Sequence, residues 1–127
     1  MPFLLDTHTL LWAIQDSSQL SRVARTHISD TKNVCFFSIV SLWEITIKFS
    51  LKALDLEMSL SDCFDIIKKT GFTELPVRSD HLLRLASLPY HHKDPFDRLL
   101  IAQAISEDLT FITKDNIIPL YDVRILW

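Results

Sequence analysis

Glycine is almost absent from this chain, since Gly71 is the only glycine among 127 residues. Phosphate-binding loops of the GxGxxG and GxxxxGK[ST] types need several glycines, because the backbone must approach the phosphates closely. The sequence therefore excludes nucleotide binding through either kind of loop.

Cysteine is scarce as well, and Cys35 and Cys63 show no CxxC spacing. They predict neither a disulfide framework nor a cysteine-rich zinc site, and they are typical of a reducing compartment. The first residues, MPFLLD, lack the basic region of a signal peptide. We therefore expect a cytoplasmic protein.

Long hydrophobic runs and a basic excess are also missing. The longest apolar run, VCFFSIVSLW at residues 34–43, is about half of the ~20 residues that a membrane span needs. We therefore expect a soluble protein with no membrane partner. The formal net charge of −3 argues against sequence-independent nucleic-acid binding over a broad surface. The net charge does not exclude a local basic surface around an acidic site. Cations bound at such a site would reduce its negative charge.

Strand and helix patterns alternate along the chain, whose length predicts a single domain, residues 1–127. Strands are predicted at 3–6, 33–38, 72–77, 110–115 and 123–127, and helices at 7–15, 17–30, 39–54, 59–71, 78–89 and 95–108. This alternation is typical of an α/β fold with a mainly parallel sheet that helices cover on both faces.

Two of the predicted helices carry further expectations. The apolar stripe of helix 39–54 is expected at Val40, Trp43, Ile47, Leu51 and Leu54. Ser79 is expected to cap helix 78–89, because serine is a preferred residue at helix N-termini.

Four acidic residues are predicted at one edge of the sheet. Asp6 follows the FLL strand directly, and Asp115 follows the TFIT strand by one residue. Glu44 lies about two turns into the helix that leaves the CFF strand, and Asp97 lies in the first turn of the helix that leads to the TFIT strand. Ligands of such folds bind beyond the carboxyl ends of the strands. Because Mg²⁺ and Mn²⁺ prefer oxygen ligands, four carboxylates from four elements indicate a metal site.

Three of these acids also have structural explanations. Asp6 could cap the helix that follows it, and Asp115 could be a turn residue. Glu44 could pair with Lys48 four residues later, a surface contact that stabilises a helix by only ~0.3–0.5 kcal/mol. Apolar residues surround Glu44, however, and a buried carboxylate needs a cation or hydrogen bonds. This favours a functional role for Glu44.

The segment HHKDPFDRLLIAQA, residues 91–104, contains two more explanations of this kind. Asp94 is a good N-cap, followed by Pro95 at the preferred first helical position. Asp97 then stands at the third position, where an acid interacts with the cap and the helix dipole. Capping accounts fully for Asp94 but only in part for Asp97, which also faces the edge of the sheet.

Four segments, FLLDTHTLLW, SLWEITIK, DPFDRLLIAQA and FITKD, occur here in the order typical of PIN-domain ribonucleases. The chain resembles this family over essentially its whole length, and specifically the VapC-type toxins of VapBC toxin–antitoxin systems. The resemblance implies a three-layer α/β/α sandwich. In one departure, the turn before the last catalytic strand reads SEDLT, with Asp108 where relatives commonly have glycine.

The resemblance also implies the roles of individual residues. The acidic quartet of the family, whose members are catalytic and bind Mg²⁺ or Mn²⁺, falls on Asp6, Glu44, Asp97 and Asp115. Thr113, Thr7 and Asp94 are expected to support the quartet, and Lys48, Arg98 and Lys114 to contact the substrate. The nearby His8, His91 and His92 could contact the substrate, but no histidine is required, and we interpret them as polar residues of loops and helix starts.

The implied activity is hydrolysis of RNA phosphodiester bonds by water that the metal activates. The implied partners are RNA, an antitoxin that inserts a basic side chain among the acids, and a second copy of the chain in a homodimer. Relatives of this kind cut single-stranded or loop RNA, whose bases are accessible.

Two alternatives remain at this stage. LLDTHTLL resembles the motif of haloacid-dehalogenase-type phosphatases, which need an aspartate nucleophile and a second acid two positions later. His8 stands at that second position, and the usual glycine is absent. A covalent phosphoaspartate would support this alternative. The chain could also be a catalytically inactive binding module, in which the acids serve only as helix caps.

Overall fold

The computed structural model describes all residues, Met1–Trp127. Its strands are β1 (Pro2–Leu5), β2 (Val34–Ser38), β3 (Thr73–Leu75), β4 (Thr110–Ile112) and β5 (Ile125–Leu126). Its α-helices are α1 (Thr7–Gln15), α2 (Arg22–Ser29), α3 (Ile39–Ser50), α4 (Leu60–Lys68), α5 (Ser79–Ser87) and α6 (Pro95–Ser106). A short 3₁₀-helix at Ile118–Leu120, which the sequence patterns did not predict, separates β4 from β5.

All five strands form one parallel sheet in the order β3-β2-β1-β4-β5. The central strand β1 pairs with β2 on one side and β4 on the other, so that Leu5 lies opposite both Phe37 and Ile112. The chain therefore changes direction across the sheet at β1. In open parallel sheets, such a change leaves a crevice at the carboxyl ends of the strands.

Helices cover both faces of the sheet, which confirms the predicted three-layer sandwich. Phe3 and Leu5 of β1 belong to one buried core, together with side chains of α1, α2 and α4. Leu4 points to the opposite face and belongs to a second core, built with side chains of α5 and α6. The alternation within β1 follows from strand geometry, in which successive side chains point to opposite faces.

Side-chain caps determine where most helices begin. In each case a side-chain oxygen accepts a hydrogen bond from a backbone N–H of the first turn, and these residues are Asp6, Ser21, Ser38, Ser59 and Asp94. The predicted cap at Ser79 is wrong. Helix α5 begins at Ser79 itself, with Arg78 as its N-cap residue, and the backbone N–H of Arg78 donates to Nδ1 of His81 at 3.0 Å.

The predicted apolar stripe of α3 is also wrong. Val40 is buried, but the exposed fractions of Trp43 and Leu51 are 55% and 71%. The buried side chains include Leu42, Glu44 and Ile45 instead. The helix contacts both α1 and α6, and its apolar side chains enter both cores, so its buried surface is broader than one stripe.

The turn without glycine after α6 keeps the backbone conformation that glycine favours. Asp108 adopts φ of 55°, in the left-handed region. Aspartate tolerates this region better than most residues. Arg124 contacts both the side chain and the backbone of Asp108. Its Nη1 lies 2.9 Å from Oδ1 of the carboxylate, and its Nη2 donates to the backbone carbonyl at 2.9 Å.

No helix of the fold combines the length and the hydropathy that crossing a lipid bilayer requires.

Candidate metal centre

A cavity of about 380 Å³ opens at the carboxyl ends of β1 and β4. Its walls are formed by Asp6, His8, Trp12, Asp97, Lys114, Asp115 and Asn116. Three of the four predicted acids thus meet in one cavity, although they are separated by up to 109 positions in the chain, from Asp6 to Asp115.

Asp6 is held at both carboxylate oxygens. Its Oδ1 accepts the backbone N–H of Thr9 at 2.7 Å, which caps α1, and its Oδ2 accepts the hydroxyl of Thr113 at 2.5 Å. Burial raises the pKa of Asp6, and the bonds from Thr113 and Thr9 counteract part of this effect. The capping explanation and the position in the cavity therefore both hold for this residue.

Thr113 connects the first and last acids. Its hydroxyl donates to Asp6 and also accepts the backbone N–H of Asp115 at 3.1 Å. The hydroxyl of Thr9 donates to the carbonyl of Ile112 at 3.1 Å, which fixes the start of α1 to the end of β4. Loss of the Thr113 hydroxyl would therefore remove a link between two carboxylates.

Glu44 lies behind the cavity rather than in its wall, with only 2% of its surface exposed. Its Oε1 accepts the hydroxyl of Thr7 at 2.7 Å, and its Oε2 pairs with the ammonium of Lys48 at 2.5 Å. The expected pairing with Lys48 is thus present, but it is not a surface contact. Burial lowers the pKa of Lys48, while the hydrogen bond and charge of Glu44 raise it and give a net increase.

Asp97 carries a strongly perturbed carboxyl. Burial first, and then the charges of Asp94 and Glu44, raise its pKa to about 7. Asp94 caps α6, since its Oδ1 accepts the backbone N–H groups of Phe96 at 2.8 Å and Asp97 at 3.3 Å. The negative charges around Asp97 repel one another, and a divalent cation with oxygen ligands would relieve this repulsion. The donor set therefore fits Mg²⁺ or Mn²⁺.

Asp115 is stabilised in its ionised form. Burial raises its pKa, but the backbone N–H of Ile117 and the imidazole of His92 outweigh this and lower it overall. Its Oδ1 accepts from Ile117 at 2.8 Å, as expected for a turn residue. Its Oδ2 lies 2.7 Å from Nε2 of His92.

His92 is a member of the site that sequence reasoning interpreted only as a polar loop residue. Its Nε2 contacts Asp115 and lies 3.3 Å from Oδ2 of Asp97, and only 8% of the residue is exposed. The adjacent His91 is exposed. No pattern in the sequence distinguishes the two histidines.

The three predicted substrate cations have different environments. Lys114 lines the cavity, with Nζ 5.8 Å from the centre of the Trp12 ring. Lys48 is engaged by Glu44, as described above. The prediction for Arg98 is wrong, because its buried guanidinium donates to the carbonyl of Pro89 at 3.0 Å and to the hydroxyl of Tyr121 at 3.3 Å. Arg98 therefore anchors the loop before α6.

Residues 3–124 match the PIN-domain family. No curated protein matches the chain in sequence.

Several solved structures are similar to the fold. VapBC2 from Rickettsia felis, bound to a DNA fragment from its promoter, aligns with a TM-score of 0.75 and 14% identity, covering 100% of this chain and 99% of that chain. DNA-bound VapBC from Salmonella typhimurium aligns with a TM-score of 0.73 and 14% identity, covering 99% and 97%. VapBC-5 from Mycobacterium tuberculosis, of the VapBC family of toxin–antitoxin systems, aligns with a TM-score of 0.59 and 21% identity, covering 98% of this chain and 97% of that chain.

Proposed function

The chain belongs to the PIN-domain family, and we propose from this premise that it is a metal-dependent endoribonuclease, the toxin of a VapC-type toxin–antitoxin pair. The observation that carries the proposal is the meeting of Asp6, Asp97 and Asp115 in one cavity. We assign the metal ligands and catalytic groups to these three acids and to Glu44, whose charge acts on Asp97. We further propose that residues 1–127 form a single PIN domain.

The protein's own groups hold the acids in place for this chemistry. Thr113 and the backbone of Thr9 orient Asp6, and Thr7 orients one oxygen of Glu44. Mg²⁺ or Mn²⁺ bound there would act as a Lewis acid towards the phosphate and would lower the pKa of a bound water. Hydrogen bonds to metal-binding carboxylates typically contribute 10–100-fold to affinity or activity, so we assign Thr113 and Thr7 supporting roles.

The walls of the cavity support RNA as the substrate. Trp12 offers an aromatic surface for an unpaired base, and the neighbouring Lys114 offers a positive charge for a phosphate. A base stacked on Trp12 would place its phosphate beside the acids, which favours single-stranded or loop RNA.

In the cleavage assay, Trp12→Ala should raise KM more than it lowers kcat, and Trp12→Phe, which keeps an aromatic ring, should lie closer to the wild type.

The test is cleavage of a panel of single-stranded and hairpin RNAs, with DNA of the same sequences beside them. We expect cleavage of RNA in Mg²⁺ or Mn²⁺, none in EDTA, and loss of cleavage in folded Asp6→Asn and Asp97→Asn variants. Equal cleavage by the variants would point to a contaminating nuclease. If the folded wild type does not bind Mn²⁺, the alternative of a catalytically inactive binding module would be supported instead.

The proposed partners follow from the charge and surface of the site. A basic side chain of an antitoxin would match the acidic cavity. The half-exposed Trp43, whose ring packs against Phe96 with centroids 4.9 Å apart, offers an apolar contact nearby. We also propose a homodimer and a cytoplasmic location, the latter compatible with two free, buried cysteines. Light scattering that gives a monomer mass at micromolar concentration would reject the dimer.

A further inference from the structure

His92 occupies a position that the family assignment does not explain. It comes from the loop before α6, yet its ring is packed between Asp97 and Asp115, which belong to α6 and to the segment after β4. We propose that His92 is a positioning residue: its Nε2–H donates a hydrogen bond to Asp115, and more weakly to Asp97, and so sets the spacing of two metal-binding carboxylates. This inference rests on the proposed function.

The hydrogen bond at the other ring nitrogen identifies the tautomer. Nδ1 of His92 lies 3.1 Å from the backbone nitrogen of Asp94, which carries a hydrogen and can only donate. Nδ1 must therefore accept this bond and carry no proton. In a neutral ring the proton then resides on Nε2, which faces the carboxylates.

This tautomer argues against His92 as a metal ligand. One ligand atom each from His92, Asp97 and Asp115 lie within 4.8 Å of one another, a spacing that could hold an ion. Imidazole binds metals through an unprotonated nitrogen, and metal-bound histidines donate the hydrogen of their other nitrogen to an acceptor. At His92 the other nitrogen meets a donor instead. The geometry thus makes Nε2 a hydrogen-bond donor to the acids.

The loop that carries His92 is anchored independently of the acids. The hydroxyl of Tyr121 accepts the backbone N–H groups of His91 at 3.0 Å and His92 at 2.8 Å, and Tyr121 is itself only 4% exposed. Tyr121 follows the 3₁₀-helix in the same segment as Asp115. Because the backbone of His92 is fixed to that segment, its ring can hold Asp115 at a defined distance from Asp97.

The experiment measures Mn²⁺ affinity by calorimetry, without RNA, for four proteins: wild type, His92→Phe, His92→Gln and His91→Gln. Phenylalanine keeps the ring but cannot donate. The side-chain amide of glutamine can place an N–H near the position of Nε2. The neighbouring His91→Gln is the matched control, since His91 is exposed and its ring contacts Tyr121 rather than the acids.

We expect His92→Phe to bind Mn²⁺ about 10–100-fold more weakly than the wild type, as for other residues that orient metal ligands. His92→Gln should recover much of this loss, and His91→Gln should match the wild type. Electron spin-echo spectra of Mn²⁺ bound to the wild type should show no directly bound imidazole nitrogen.

Two results would overturn the inference alone. Equal affinity of the wild type and His92→Phe would show that the hydrogen bond has no role in the site. A nitrogen signal in the wild type that His92→Gln abolishes would make His92 a ligand, and this comparison remains valid if His92→Phe does not fold. A wild type that binds no Mn²⁺ would instead contradict the metal-dependent function on which the inference rests.

Discussion

Asp97→Asn should increase the stability of the metal-free protein at pH 8, with a rise of about 2–4 kcal/mol in the free energy of unfolding. The reason is the carboxyl of Asp97, whose pKa burial and the charges of Asp94 and Glu44 raise from an ordinary 3.8 to about 7. Asparagine removes the charge that the fold disfavours. The side chain of Asp97 is only 20% exposed, so solvent screens the interaction incompletely.

The pH dependence has a defined sign. Between about pH 4 and pH 7 the folded wild type retains a proton on Asp97 that the unfolded chain has released, so its stability falls as pH rises through this window. The advantage of Asp97→Asn should therefore be full above pH 7 and shrink as the pH is lowered towards 4. Urea unfolding in EDTA at pH 5 and pH 8 measures the difference in the free energy of unfolding between Asp97→Asn and the wild type.

The control for this prediction is Asp65→Asn on α4, which removes an exposed carboxylate outside the cavity. It should change stability little at either pH. Addition of Mg²⁺ should stabilise the wild type more than Asp97→Asn, because a ligand that binds only the folded state stabilises it by an amount that grows with the logarithm of its affinity. An Asp97→Asn variant that is no more stable than the wild type at pH 8 would contradict the proposed repulsion.

A more stable Asp97→Asn variant would mean that the protein retains this carboxylate at the expense of its stability. Asp97 also lies in the first turn of α6, where an acid is favourable, yet burial and the surrounding acids outweigh that benefit. Functional sites often retain destabilising arrangements of this kind.

The positions of the acids could be predicted from sequence because they depend on local patterns and one topological rule. Asp6 directly follows β1, Asp115 lies three positions after the end of β4, and parallel strands present their carboxyl ends at one edge. Asp94 and Pro95 mark the start of α6 unambiguously, which places Asp97 in its first turn. Those inferences need no knowledge of how distant segments pack.

The parts that could not be predicted depend on such distant segments. His91 and His92 are identical neighbours, and the hydroxyl of Tyr121 accepts the backbone N–H groups of both. Their side-chain contacts with distant residues distinguish them, since the ring of His91 packs against Tyr121 and Nε2 of His92 contacts Asp115. Arg98 is similar to Lys114 as a cation near an acid, but the same hydroxyl and the carbonyl of Pro89 bind it away from the cavity. Trp43 is exposed, since α3 contributes other side chains to both cores. The predicted single apolar stripe along α3 did not take these two buried sides of the helix into account.

Asp6→Asn should have the largest effect on RNA cleavage, a decrease of well over about 100-fold, beyond the 10–100-fold typical for residues that only orient metal ligands. Asparagine is as good an N-cap as aspartate, so the bond from Thr9 that starts α1 can persist. The Asn amide can donate to Oγ1 of Thr113 once that hydroxyl rotates. The fold should therefore survive while an anionic metal ligand is lost.

Thr113 provides the graded comparison that identifies Asp6 as a ligand. Thr113→Val removes a hydrogen bond to Asp6 and another from the backbone of Asp115, so cleavage should fall about 10–100-fold, whereas Thr113→Ser should remain close to wild type. Excess Mn²⁺ should restore much of the rate of Thr113→Val, because its acids are still present, and little of that of Asp6→Asn. Initial rates across a Mn²⁺ titration measure both. Full recovery of Asp6→Asn at high Mn²⁺ would mean that the other acids suffice, and that Asp6 only caps α1.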